Sequence, residues 1–116
     1  MNLEENYKNL TAKAKAYTGI DVTYTRTRKF EIVMIKACII NILYRYFGGN
    51  TVQIGKLLNM HHSTIIYHES AHANRYKNEG EYGALYDYLA RQSMSGHKSL
   101  INVDEMVQIM RRTMTV

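Results

Sequence analysis

An all-α domain is what this sequence predicts, and three observations predict it. Apolar side chains recur every three or four positions along most of the chain, the spacing of a helix that buries one face. Proline is absent, and the seven glycines fall mostly where such stretches stop. With 116 residues, 46% of them hydrophobic, the chain can bury one compact core and is too short for two. Residues 1–116 therefore read as a single helical domain.

The first helix is expected from Leu3 to Thr18. Leu3, Tyr7, Leu10, Ala14 and Tyr17 form one stripe, with Lys8, Lys13 and Lys15 outside it. Gly19 can end the helix by taking a left-handed conformation. Asp21 to Lys29, DVTYTRTRK, has no apolar period and reads as a polar loop. From Phe30 the residues Phe30, Val33, Met34, Ala37, Cys38, Ile40, Ile42, Leu43, Tyr46 and Phe47 are apolar around most of a helix, so this should be the central one, packed on several sides. Lys36 interrupts the pattern, and because an unpaired buried ammonium is costly it is expected to face solvent or phosphate. Gly48 and Gly49 stop this helix.

Asn50 or Thr51 can cap a short helix carrying Val52, Ile54, Leu57 and Leu58. Asn59 and Met60 break the pattern. His61 to Ser63 then supplies a second start, and Ile65, Ile66, Ala73 and Tyr76 continue it as a longer helix. After Asn78, Glu79 and Gly80, a further helix is expected from Glu81 to about Ser93, with Tyr82, Leu85, Tyr86 and Leu89 turned inward. Residues 93–99 read as a loop. A last helix over 102–113 begins at an Asn102 cap with Glu105 three residues on, and carries Val103, Met106, Val107 and Met110 as a stripe. That stripe can cover the core or the first helix, or form a dimer or partner surface, core packing being the preferred reading.

The net charge of +5 is unevenly placed. Between Thr23 and His68 there are six cations, Arg26, Arg28, Lys29, Lys36, Arg45 and Lys56, against the single anion Glu31, so all of the excess sits there. Such a concentration is the footprint of phosphate neutralisation, and otherwise it is a solvated basic face. The single Cys38 lies in an apolar run and reads as a buried, reduced thiol of an intracellular protein. No basic leader precedes a long apolar segment, and the most apolar run, residues 37–43, is far too short to span a bilayer. A cytoplasmic protein without membrane contact is the expectation.

A short helix, a turn and a longer helix that opens with His61, His62, Ser63 and Thr64 fits a unit that reads DNA, because donors and acceptors at the first turn of the second helix meet the major groove first. Thr51, Val52, Gln53, Ile54 and Gly55, followed seven residues later by His62, Ser63, Thr64 and Ile65, resemble the signature of the C-terminal DNA-binding domain of the bacterial replication initiator DnaA. That signature is a Ser-Leu-x-x-Ile-Gly helix and then Arg-Asp-His-Thr/Ser-Thr-Val. The likeness covers about residues 7–93 and is densest from Ile54 to Ile65. It implies a Trp-repressor-like helix-turn-helix, with residues 94–116 as an added loop and helix.

The resemblance also implies partners and roles. The chain would bind double-stranded DNA in a bacterial or phage-infected cytoplasm, in replication or transcription control, and would need no cofactor. Arg28, with Arg26 and Lys29 beside it, would enter the minor groove, while Lys36 and Thr51 would hold the backbone and His61, His62, Ser63 and Thr64 would read bases. Met60 and His61 stand where the family has Arg and Asp, which implies a different site or weaker discrimination. No GxxxxGK[ST] phosphate loop occurs, so ATP-driven origin melting is not expected of this chain, and it is read as no enzyme. For the tip, the plainer alternative is that Ser63 merely caps the helix.

Two other readings compete. His68, Glu69 and His72 form an HExxH pattern, which in zinc peptidases binds metal through its histidines and activates water with its glutamate. Arg75 and Asn78 stand where a glycine-and-histidine continuation would fall, leaving Glu79, Glu81 and His97 as conceivable third ligands. Ile65, His68, His72 and Tyr76 share one stripe, so these histidines are expected to face neighbouring helices as hydrogen-bonded or half-buried residues. The other competitor is a protein-interaction module that keeps the fold without DNA.

Overall fold

The computed structural model describes residues 2–23 and 29–94, and among them it contains five helices and no strand. They are α1 (Leu3–Thr18), α2 (Phe30–Tyr46), α3 (Thr51–Leu58), α4 (His62–Asn78) and α5 (Gly80–Met94). The expected helix over 102–113 lies outside the described residues, and so do Arg26, Arg28 and His97.

The ends of α1 and α3 have local causes. The Asn2 side chain accepts from the Glu5 amide at 2.8 Å at the start of α1, and Gly19, at φ 79°, ends that helix in the left-handed region. At α3 it is Asn50 that caps, in a reciprocal box: its side chain accepts from the Gln53 amide at 2.8 Å while Gln53 accepts from the Asn50 amide at 3.1 Å. Asn59 closes α3 at φ 55°, a conformation asparagine tolerates better than most residues.

Helix α2 is central and packs against all four others, because its sequence leaves almost no polar side. Ala37, Cys38, Ile39, Ile40, Ile42 and Leu43 are fully buried there, joined by Leu10 and Ala14 from α1, Ile54 from α3, Ile65 from α4 and Leu89 from α5. Helices α2 and α4 run antiparallel: Phe30 and Asn74 line one groove, whereas at the other end Asn41 bonds to the His68 carbonyl and Arg45 pairs with Glu69. Four apolar residues counted toward buried faces are instead exposed: Phe30 (62%), Tyr17 (51%), Val52 (51%) and Ile66 (45%). Phe30 starts α2, beyond the reach of the helices that cover its middle; Tyr17 keeps one ring face on Tyr88, with centroids 4.7 Å apart. No described helix is long and apolar enough to cross a membrane.

Candidate nucleic-acid interface

The turn between α3 and α4 is folded back tightly over Gly55. The Gly55 carbonyl accepts from the Asn59 amide and, at 2.8 Å, from the Met60 amide. A Cβ at position 55 would stand 2.6 Å from the Met60 carbonyl oxygen, so only glycine lets the turn approach this closely. With so short a connection, α4 starts against the end of α3, and Ile54 and Ile65 are both fully buried beside it.

Helix α4 has two unlike faces. Ile65, His68, His72 and Arg75 are buried, whereas His62, Ser63, Thr64, Ile66, Tyr67, Ser70 and Asn74 are exposed. The cap of α4 is His61 rather than Ser63: the Ser63 amide donates to His61 Nδ1 at 3.1 Å, and the Ser63 hydroxyl lies 2.7 Å from the same nitrogen. Nδ1 must then be the unprotonated nitrogen, so the proton sits on Nε2 and the Ser63 hydroxyl donates inward with its lone pairs left outward. The rings of His61 and His62 pack at 4.2 Å between centroids. The tip thus offers imidazole and hydroxyl groups held in fixed places.

Lys56 belongs to this cluster, although only the charge pattern had drawn attention to it. It is exposed in the last turn of α3 and lines, with Val52, Met60, His61 and His62, an open hollow of about 430 Å³ beside the tip. Thr51 is half-buried at the first position of α3. Lys29 is exposed immediately before α2, whose first residues Phe30 and Val33 face Tyr67 and Asn74 across a second groove. Lys36 is half-buried in the middle of α2 and lines neither hollow. Arg45 shares its charge with Glu69 at 3.6 Å, which reduces its availability to an outside anion.

His68 and His72 occupy the opposite side of α4, in a buried polar network. Arg75 donates to His68 Nδ1 at 2.9 Å, and the Tyr82 hydroxyl lies 2.7 Å from His72 Nδ1. Asn41 Nδ2 in turn donates to the Tyr82 oxygen at 3.3 Å, to the His68 carbonyl at 3.2 Å and to the Ala37 carbonyl at 2.9 Å. Both histidines are held neutral, and where His72 Nδ1 is the unprotonated nitrogen it accepts from the Tyr82 hydroxyl. Burial first, then the nearby Arg75, brings His68 down to about 4; burial, then Arg45 and Arg75, does the same for His72. Burial likewise raises the Tyr82 hydroxyl and the Cys38 thiol.

The histidines of the HExxH pattern thus bond within the fold through Nδ1, and Glu69 is paired with Arg45. Among the described residues no group of three or more His, Cys, Asp or Glu side chains could hold a metal ion. No family model, curated protein or solved structure matches the chain.

Proposed function

We propose that this chain binds double-stranded DNA in a sequence-dependent way, in replication or transcription control, through a helix-turn-helix formed by α3 and α4 and like that of the initiator's C-terminal domain. The observation that carries the reading is the division of α4: its inner face is anchored by Ile65 and the histidine network, while its first turn presents His62, Ser63 and Thr64 to solvent beside Lys56. A helix fixed on one side and polar at its exposed tip suits the major groove, where hydroxyl and imidazole groups meet base edges.

One exposed apolar residue of α4 fits the same role. Ile66 lies one turn beyond His62 and can touch a thymine methyl, and Lys56 supplies a phosphate contact. Lys29 supplies a further cation for the backbone, and Arg26 and Arg28, close before it in the sequence, are the residues proposed for the neighbouring minor groove. Lys36 and Thr51 complete the proposed backbone contacts.

The test is selection of bound sequences from a random duplex pool. Enrichment of a common site, with affinity falling steeply as salt rises, is expected. Recovery of no common sequence, together with salt-insensitive indifference to duplex, would favour the protein-interaction module instead. Zinc hydrolysis would need stoichiometric zinc and a peptidase activity lost in Glu69→Ala.

A further inference from the structure

A groove of about 600 Å³ opens between the end of α1, the start of α2 and the start of α5. Tyr17, Phe30, Met34 and Leu85 give it an apolar floor and lip, and the first two are more than half exposed. Stacking on Tyr88 holds the Tyr17 ring in place at that lip. Although the chain carries a net charge of +5, every charged side chain that lines the groove among the described residues is acidic: Glu31, Glu79 and Glu81. Glu79 is half-buried, and its Oε2 is shut from water without a hydrogen-bond partner. Arg75 lies one turn earlier but bonds to His68, and among the described residues no ion pair reaches the Glu79 carboxylate. A buried carboxylate left this way is costly, and a cation seated beside it relieves the cost.

We propose that the groove binds a small lipophilic cation, a positive charge carried on aromatic or aliphatic groups. Its size is that of a small-ligand site, about 300–1,000 Å³, and it is one concavity rather than the broad patch of about 800 Å² per partner that a stable protein complex uses. The three carboxylates repel phosphate, so nucleic acid is not the occupant. Nor is a metal ion, because no group of three or more His, Cys, Asp or Glu side chains among the described residues could hold one. An organic cation meets both halves of the groove. Its charge is spread over a large body and sheds water at low cost, which lets it enter an apolar floor and stand beside Glu79 and Glu81. The ring faces of Tyr17 and Phe30 at the lip attract the same charge through their quadrupoles. The site lies at the end of α4 opposite to His62, and the proposal does not rest on the reading of that tip as a DNA contact.

The probe is tetraphenylphosphonium, with tetraphenylborate as an anion of nearly the same size and shape, each titrated calorimetrically into the full chain. Unspecific attraction to a chain of net charge +5 favours the borate, whereas the groove favours the phosphonium. One equivalent of phosphonium is expected to bind, with a dissociation constant on the order of 10 µM. The borate should bind roughly ten-fold more weakly, or not at all. Glu79→Gln keeps the shape of the side chain and removes an unpaired charge, so the melting temperature should not fall, while phosphonium affinity drops about ten-fold. Phe30→Ala, at an exposed position, should weaken it several-fold with the circular dichroism unchanged. No saturable phosphonium binding, borate binding as tight or tighter, or an affinity indifferent to both variants would overturn the proposal. So would a parent chain that sediments as a dimer and becomes monomeric in Phe30→Glu, which would give the groove to a second copy.

Discussion

His68 and His72 set a cost that acid should reveal. Each has its proton affinity lowered in the fold to about 4 from an ordinary 6.5, so between these values the unfolded chain binds protons that the folded one refuses. Stability is therefore complete above about pH 6.5 and is lost as pH falls toward 4, by roughly 2–5 kcal/mol for the pair. Urea denaturation at pH 7, 5.5 and 4 checks this, and His72→Gln, which keeps an acceptor for Tyr82, should flatten the slope; a midpoint constant over the window in the parent protein would count against neutral buried histidines. A second residue-scale prediction concerns Gly55. Gly55→Ala gains helix propensity, yet its methyl meets the Met60 backbone at 2.6 Å, so the turn must open at a cost of about 1–3 kcal/mol. A thermal melt measures the loss, and an unchanged melting temperature would show that the turn can shift without penalty. At this scale the sequence was partly readable: the stripe Ile65, His68, His72 and Tyr76 located the histidines on an inner face. It could not show that Arg75 is buried beside them, because a cationic residue late in a helix reads as surface and its His68 partner emerges only from packing.

At the level of elements, the helix ends were the most legible feature, since Gly19, Asn50 and Asn59 each act through their own local chemistry. The start of α4 was less so. A histidine caps only when its ring takes one rotamer and one tautomer, which no residue count reveals, so Ser63 looked like the cap and His61 proved to be it. Exposure was also misjudged at Phe30, Val52 and Ile66, because periodicity marks a face as apolar without saying whether another helix reaches it. For α4 as a reading element, the proposed function makes a divided prediction. Thr64→Ala should cost about 1–3 kcal/mol on a selected site and relax preference at one base. Lys56→Ala should weaken binding to all duplexes alike and reduce the salt slope by about one. Fluorescence anisotropy over a salt series separates the two, with melting temperatures expected to stay near the parent value because both side chains are exposed. If the two variants proved indistinguishable across sequences and salt, the tip would not be reading bases.

Across the whole molecule, one side chain connects the parts. Asn41 is fully buried in the most apolar helix, and its amide reaches the Ala37 carbonyl on α2, the His68 carbonyl on α4 and the Tyr82 hydroxyl on α5. An asparagine there disrupts nothing in the helical period, yet pattern alone gives no reason for it, since its partners are separated from it by 27 residues in one case and 41 in the other. These bonds are expected to fix how α4 lies on the core, which apolar packing alone specifies less sharply because greasy surfaces can slide. The cost is visible in its own Oδ1, which is buried without a partner. Removing Asn41 should therefore do more than cost one bond. Asn41→Ala leaves the Tyr82 oxygen and the His68 carbonyl short of a donor and opens space in the centre, for about 1–3 kcal/mol. Tyr82→Phe removes the same link from the other side, along with the bond to His72. If the three groups act as a chain, the double variant should lose less than the sum of the single ones, by about 0.5–3 kcal/mol. Denaturant titration of all four proteins measures that difference, and strict additivity would mean that Asn41 and Tyr82 stabilise the fold independently, leaving the position of α4 to its apolar contacts.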